Sequence, residues 1–135
     1  MSAVDISEGL ELLERAKESW RIIRDYQAGA EYEVSDIRMA LVALRDALSK
    51  LRVISIHVIV ERGSSSRDVR GLATQFSALI SSLISSLDTA LIGIETLRGM
   101  ERAWLALALH GVDVELVFDV LDGIFRLSHS SPANF

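Results

Sequence analysis

The chain has 135 residues, a formal net charge of −5 and no cysteine, and its length suits one domain with its own core. The absence of cysteine excludes disulfides, thiolate metal sites and cysteine nucleophiles, and the acidic balance argues against attraction of nucleic acid by overall charge. Half of the residues are hydrophobic and the one proline, Pro132, stands near the end, a composition that favours an all-α fold.

The first predicted helix covers about residues 5–26. Asp5-Ile6-Ser7-Glu8 has the residue types of a capping box. Apolar residues then recur every three or four positions along one face, as in an amphipathic helix with one buried stripe: Ile6, Gly9, Leu13, Ala16, Trp20 and Ile23. The N-terminus is acidic and lacks the apolar stretch of a secretory signal, so we expect a cytoplasmic protein.

The second predicted helix covers about residues 34–62. Its apolar stripe has heptad-like spacing and is interrupted by Ser55: Ile37, Leu41, Leu44, Leu48, Leu51 and Val58. Residues 53–60 (VISIHVIV) are rich in β-branched side chains, which also suits a strand. We predict a helix there because no second strand-like segment is available for pairing.

Within this helix, Arg52-Val-Ile-Ser-Ile-His57 resembles the Arg-x4-His motif of the HEPN class of small all-α RNases. The resemblance covers six residues and implies an RNA-cleaving site in which Arg52 and His57 meet at a dimer cleft. The motif differs from the class in that an apolar residue, Val53, follows the arginine, and it lies on the second helix rather than on a late one. The alternative is a solvated arginine and a partly buried histidine without a catalytic role.

The linker at about residues 61–66 precedes a serine-rich helix start with arginines nearby. Free backbone amides and guanidinium groups at such a start would suit a phosphate or another anion, here at Ser64, Ser65, Ser66, Arg67 and Arg70. In a dimer, two such segments would form a basic strip for a nucleic-acid backbone. The alternative is an ordinary capped helix with solvated arginines.

The third predicted helix, at about residues 67–97, contains a four-residue repeat, SALI-SSLI-SSLD-TALI. The repeat places small residues in a row at i, i+4 spacing: Ser77, Ser81, Ser85, Thr89 and Gly93. Four residues turn an α-helix by about 400°, so the row drifts about 40° per repeat. A partner helix in this groove would come close and cross obliquely, at about −50° if it also presents i±4 ridges.

Two interpretations of this helix remain open. It is either the long apolar central helix of a single-chain bundle, or it also crosses its own copy near Ser81 and Ser85 in a two-fold interface. The uncharged run Gly71–Leu87 is 17 residues long and contains five serines, and Asp88 follows, so we expect a buried helix and no membrane span.

The remaining chain predicts two shorter helices, at about residues 100–110 and 114–127, followed by a tail at 128–135. Gly99 ends or kinks the third helix, and Asp113 is a suitable N-cap for the last one. Glu115, Asp119 and Asp122 share one helix face and could hold Mg²⁺, but a solvent-exposed acidic stripe explains them better.

Together these patterns predict a single domain over residues 1–135, an all-α bundle of four or five helices that is oligomeric, with a dimer favoured. No pattern requires a cofactor or a metal. We expect a non-enzymatic, self-associating subunit or scaffold that also binds a protein partner. The alternative is a nucleic-acid-associated subunit or HEPN-like RNase; an apolar ligand held between the helices ranks last. The excess of arginine over lysine and the scarcity of Asn and Gln suggest a thermophilic source.

Overall fold

The computed structural model describes residues 3–62 and 67–130 of the chain, and the side chains of residues 6–61 and 70–126. Within these residues the fold is all-α, as predicted. Five helices are present: α1 (Ala3–Gln27), α2 (Val34–Arg62), α3 (Arg67–Thr96), α4 (Glu101–Ala108) and α5 (Val114–Ser130). The β-branched segment 53–60 is part of α2, because side-chain burial along a helix outweighs a modest β-propensity.

The helix ends follow the local sequence signals in most places. Asp113 caps α5 as predicted, with its carboxylate accepting a 2.9 Å hydrogen bond from the amide of Leu116. Gly99 has a φ of 84°, so α3 ends at Thr96 and does not continue into α4. α1 differs from the prediction: it begins at Ala3, so Asp5 lies in its first turn and does not precede it.

The helix at the centre of the bundle is α2. It packs against α1, α3 and α5, whereas α3 lies at the edge and contacts mainly α2 and α4. The four-residue repeat had suggested α3 for the central position. The heptad-like stripe of α2 explains the difference, since its members are all buried: Ile37, Leu41, Leu44, Leu48, Leu51 and Val58. Ser55 interrupts the stripe without cost because its hydroxyl donates to the Arg52 carbonyl at 3.0 Å.

The buried face of α3 also follows three- and four-residue steps. It consists of Ala73, Phe76, Ile80, Leu83, Leu87, Ala90, Leu91 and Ile94. The leucines of the repeat drift around the helix, so Leu83 and Leu87 are buried while Leu79 is 43% exposed. Residues 70–96 are long and apolar enough to cross a membrane, with 39% of the most apolar window buried. The core helix of a soluble bundle meets the same criterion.

Candidate interaction surfaces of the α2–α3 hairpin

Three arginines of α2 bridge to α3 along one side of the hairpin. Arg38 donates to Glu95 at 2.5 Å, Arg45 to Asp88 at 3.2 Å and Arg52 to the hydroxyl of Ser81 at 2.8 Å. We call these pairs the arginine ladder. Successive rungs are seven residues apart on both helices. This is the side-by-side spacing of a coiled coil, whereas the four-residue repeat had predicted an oblique crossing.

The ladder is electrostatically incomplete at its third rung. The hydrogen bond to Asp88 is the main cause that raises the pKa of Arg45 above its ordinary value, as expected for a cation beside a carboxylate. Arg52 meets only a neutral hydroxyl at Ser81. In the part of the chain that the structure describes, Arg52 therefore has a hydrogen-bond acceptor but no counter-charge.

Arg52 and His57 lie on different sides of α2. Five residues rotate an α-helix by about 500°, which leaves the two side chains about 140° apart. Arg52 is directed towards α3, where it reaches Ser81, and His57 is exposed at the surface. Within one chain the structure does not bring the two residues of the RNase-like motif together.

The small-residue row is fully buried only at its Gly93 end. Ser77 and Ser81 are half-buried beside α2, Ser85 and Thr89 are exposed, and Gly93 is buried. The Trp104 indole covers Gly93 and donates 3.2 Å hydrogen bonds to the carbonyls of Thr89 and Ala90. Gly93 is therefore occupied by α4 of the same chain and is not accessible to a second copy.

From residue 71 to residue 96, the remaining solvent-exposed side of α3 carries no charge. This outer face consists of Thr74, Gln75, Ala78, Ser82, Ser85, Thr89, Ile92 and Thr96, all exposed. After Arg70, α3 has two acidic residues, Asp88 and Glu95. Both form ion pairs with arginines of the ladder and do not belong to this face. The solvent face of a helix normally presents charged side chains, so the outer face of α3 is better suited to contact another surface than to face water.

A groove lies between the last turns of α2 and the first turns of α3. It has a volume of about 510 Å³ and is lined by Ile56, Val60, Arg70, Ala73, Thr74, Ser77 and Ala78. We call it the hairpin groove. Its floor is apolar and Arg70 stands at one end. Arg52 does not line the groove but precedes Ile56 by one helical turn on α2, so a second cation stands on the same helix nearby.

The predicted anion site at the start of α3 falls largely outside the described residues. Ser64, Ser65 and Ser66 are not described, and of Arg67 only the backbone is, as the first residue of α3. Arg70 is described and exposed, and it lines the hairpin groove. The sequence between residues 49 and 81 contains five basic and two acidic side chains, so this stretch of the chain is positive although the whole chain is negative.

The acidic stripe of α5 is largely engaged in ion pairs. Glu115 accepts from Arg24 of α1 at 2.6 Å, and Asp122 accepts from Arg126 at 2.8 Å. No group of three or more residues that could hold a metal ion is found among the described residues. These carboxylates therefore link α5 to α1 and to its own next turn.

Arg102 and Trp104 were not recognised from the sequence. Arg102 donates to the carbonyls of Tyr26 at 2.8 Å and Ala30 at 2.7 Å, and its guanidinium lies 4.4 Å from the centre of the Tyr26 ring. It thus binds the carbonyl end of α1, where a cation is favoured. In the sequence, Arg102 and Trp104 are distinguished only as a charged and an aromatic residue in a short, mostly aliphatic helix. This pattern does not identify the distant groups that they contact.

No known family model matches the chain, and no curated protein or solved structure is significantly similar to it. The functional argument therefore depends on the surfaces described above.

Proposed function

We propose that this protein is a non-enzymatic, cytoplasmic, self-associating helical subunit, and that the outer face of α3 is the surface through which two copies meet. The uncharged, small-residue outer face carries this proposal. A face of serine, alanine and threonine permits close approach of a second helix at little conformational cost, because these side chains have few rotamers to lose.

The distribution of exposed apolar side chains supports the same conclusion. Of the thirteen large hydrophobic residues that are exposed in the described part of the chain, eight lie between residues 72 and 120 and none lies on α1. On and next to α3 and α4 they include Leu79, Ile92 and Leu107. Exposed apolar side chains beside an uncharged helix face are typical of an interaction site.

Two substitutions on the outer face test the proposal. Ser82→Glu with Ser85→Glu places two negative charges on exposed positions, which the monomer can solvate and a close two-fold contact cannot. We expect the variant to be monomeric, with an unfolding temperature close to that of the wild type. Ser7→Glu, at an exposed serine of α1, is the matched control and should leave assembly unchanged.

Light scattering over a wide range of protein concentration measures the outcome. A wild-type dimer that dissociates in the α3 variant, but not in the α1 control, supports the proposal. If the wild type is monomeric throughout, or if the α3 variant assembles normally, the outer face is not a self-association surface.

A further inference from the structure

Two further surfaces lie at opposite ends of α2 and are complementary to each other. The hairpin groove adjoins the last turns of α2 and is apolar with flanking arginines. The connection that precedes α2 has the opposite character: residues 31–34, Glu-Tyr-Glu-Val, alternate acidic and apolar side chains and are all exposed. We call these four residues the acidic segment.

Within the described residues, the charges of both surfaces have no oppositely charged partner. Among the described residues, neither Glu31 nor Glu33 forms an ion pair, and Arg70 has no carboxylate partner. Arg52 is bound only to the Ser81 hydroxyl. Most other arginines of the described part are paired with a carboxylate, so the groove and the acidic segment stand out as complementary.

The apolar side chains are complementary as well. The side chains of Tyr32 and Val34 are large and apolar, yet they are 37% and 40% exposed. The groove offers Ile56, Val60 and Ala73 as an apolar floor, and its volume is within the usual range of binding pockets of about 300–1,000 Å³. A nucleic-acid backbone would satisfy the arginines but would leave these apolar surfaces without a partner.

A molecule cannot fill its own groove in this way. Val34 and Val60 are at opposite ends of α2, and 26 residues of α-helix span about 39 Å. The segment and the groove can therefore meet only between two molecules.

We propose that the hairpin groove of one molecule binds the acidic segment of another. Glu31 and Glu33 then approach Arg52 and Arg70, while Tyr32 and Val34 cover the apolar floor. The contact is heterologous, because the two partners use different surfaces, and it joins molecules head to tail into rings or open chains. It shares Thr74 and Ala78 with the outer face of α3, but it does not depend on the dimer, because the charges that it needs lie on Arg52, Arg70 and the acidic segment.

Reversing the charges on either side tests this contact. One variant carries Glu31→Lys and Glu33→Lys, and the other carries Arg52→Glu and Arg70→Glu. At an ionic strength of about 0.05 M, where charge pairs are weakly screened, we expect each variant alone to lose head-to-tail association by at least about tenfold in the association constant. Lys50→Glu, a reversal on the exposed side of α2 away from the groove, should change it much less.

A mixture of the two variants gives the decisive result. The lysine segment of the first variant matches the glutamate groove of the second, and the unchanged glutamate segment of the second matches the arginine groove of the first. We therefore expect an equimolar mixture to form longer species again in sedimentation velocity, with the two variants alternating. Circular dichroism of each variant checks that the helices remain folded.

Three results would overturn the proposal: a wild type that forms nothing larger than a dimer at low ionic strength, variants that associate like the wild type, or folded variants whose mixture does not associate. Binding of a short RNA that requires Arg52 and Arg70, without head-to-tail association, would assign the groove to a nucleic-acid backbone instead.

Discussion

Gly93 sets how closely α4 approaches α3. A Cβ atom at this position would lie 1.9 Å from Nε1 of Trp104, far inside van der Waals contact. Because Gly93 has no side chain, the indole can lie on the helix and reach two backbone carbonyls at once. The glycine is thus required by a close approach within the chain.

We predict that Gly93→Ala destabilises the protein although alanine is the better helix former. The gain in helix propensity is about 1 kcal/mol, and displacement of Trp104 should exceed it, leaving a net loss of about 1–3 kcal/mol in the free energy of unfolding. Gly123→Ala is the matched control, since a Cβ there meets nothing within 4 Å, and it should raise stability by about 0.5–1 kcal/mol. Urea denaturation of both variants measures the difference, and a stabilised Gly93→Ala protein would contradict the packing role of Trp104.

Arg102 holds the end of α1 to α4 through two hydrogen bonds to carbonyls and one contact with an aromatic ring. We predict that Arg102→Ala lowers the free energy of unfolding by about 1–3 kcal/mol, because charged donors form strong hydrogen bonds and the ring contact adds to them. Arg102→Lys should recover only part of the loss, since an ammonium group cannot form the same fork of donors. Arg98→Ala, at a nearby exposed arginine, should have almost no effect; equal losses at the two sites would refute the specific role of Arg102.

At the scale of elements, α2 and α3 form an antiparallel pair whose register is visible in the arginine ladder. Its rungs repeat every seven residues, so each arginine returns to nearly the same side of α2. The raised pKa of Arg45 does not make stability depend on pH in the ordinary range. A cation with a raised folded-state pKa contributes fully below its unfolded pKa and loses the contribution only as pH rises through the folded value, which here is strongly alkaline.

The third rung can be completed by one substitution. Ser81→Glu would place a carboxylate beside Arg52, and we predict a favourable coupling of about 0.2–1 kcal/mol between the two residues, as is usual for a solvent-accessible pair. A double-mutant cycle with Arg52→Gln isolates this coupling from changes in helix propensity. The coupling should decrease as salt is added. A zero or unfavourable coupling at low salt would show that Arg52 does not reach position 81 in solution.

At the scale of the whole molecule, the two proposed contacts have different physical origins. The outer face of α3 is uncharged, whereas the groove and the acidic segment depend on opposite charges. An isologous contact closes a dimer because both copies use the same surface. A heterologous contact leaves one unused surface on each partner, so that further molecules can be added. A protein with both would build extended assemblies, which suits a scaffold.

Ionic strength should therefore separate the two modes of association. We predict that raising the salt concentration from about 0.05 M to about 0.5 M removes species larger than a dimer, because screening weakens exposed charge pairs, while the dimer formed through α3 persists. Light scattering at both salt concentrations provides the measurement. Large species that persist at high salt would point to an apolar head-to-tail contact, and loss of the dimer would place charges in its interface.

The helices themselves could be predicted closely, since their signals are local. The stripe of α2 from Ile37 to Val58 and the cap at Asp113 are both present as expected. The seven-residue spacing of Arg38, Arg45 and Arg52, matched by Asp88 and Glu95, is also visible in the sequence and was overlooked. The partner of Gly93 could not be predicted, because a small residue indicates a close approach without saying which group approaches.

The order of residues is enough to predict an all-α chain, its helix boundaries to within a few residues and the buried stripe of α2, because hydrophobic periodicity and helix capping act over one or two turns. The packing of the helices was needed to establish that α2 is central and α3 lies at the edge, that Trp104 occupies the end of the small-residue row, and that Arg52 donates to the neutral hydroxyl of Ser81. These features depend on which helices pack together. Several helices have apolar faces that could be buried, so the sequence of one segment does not determine its partner.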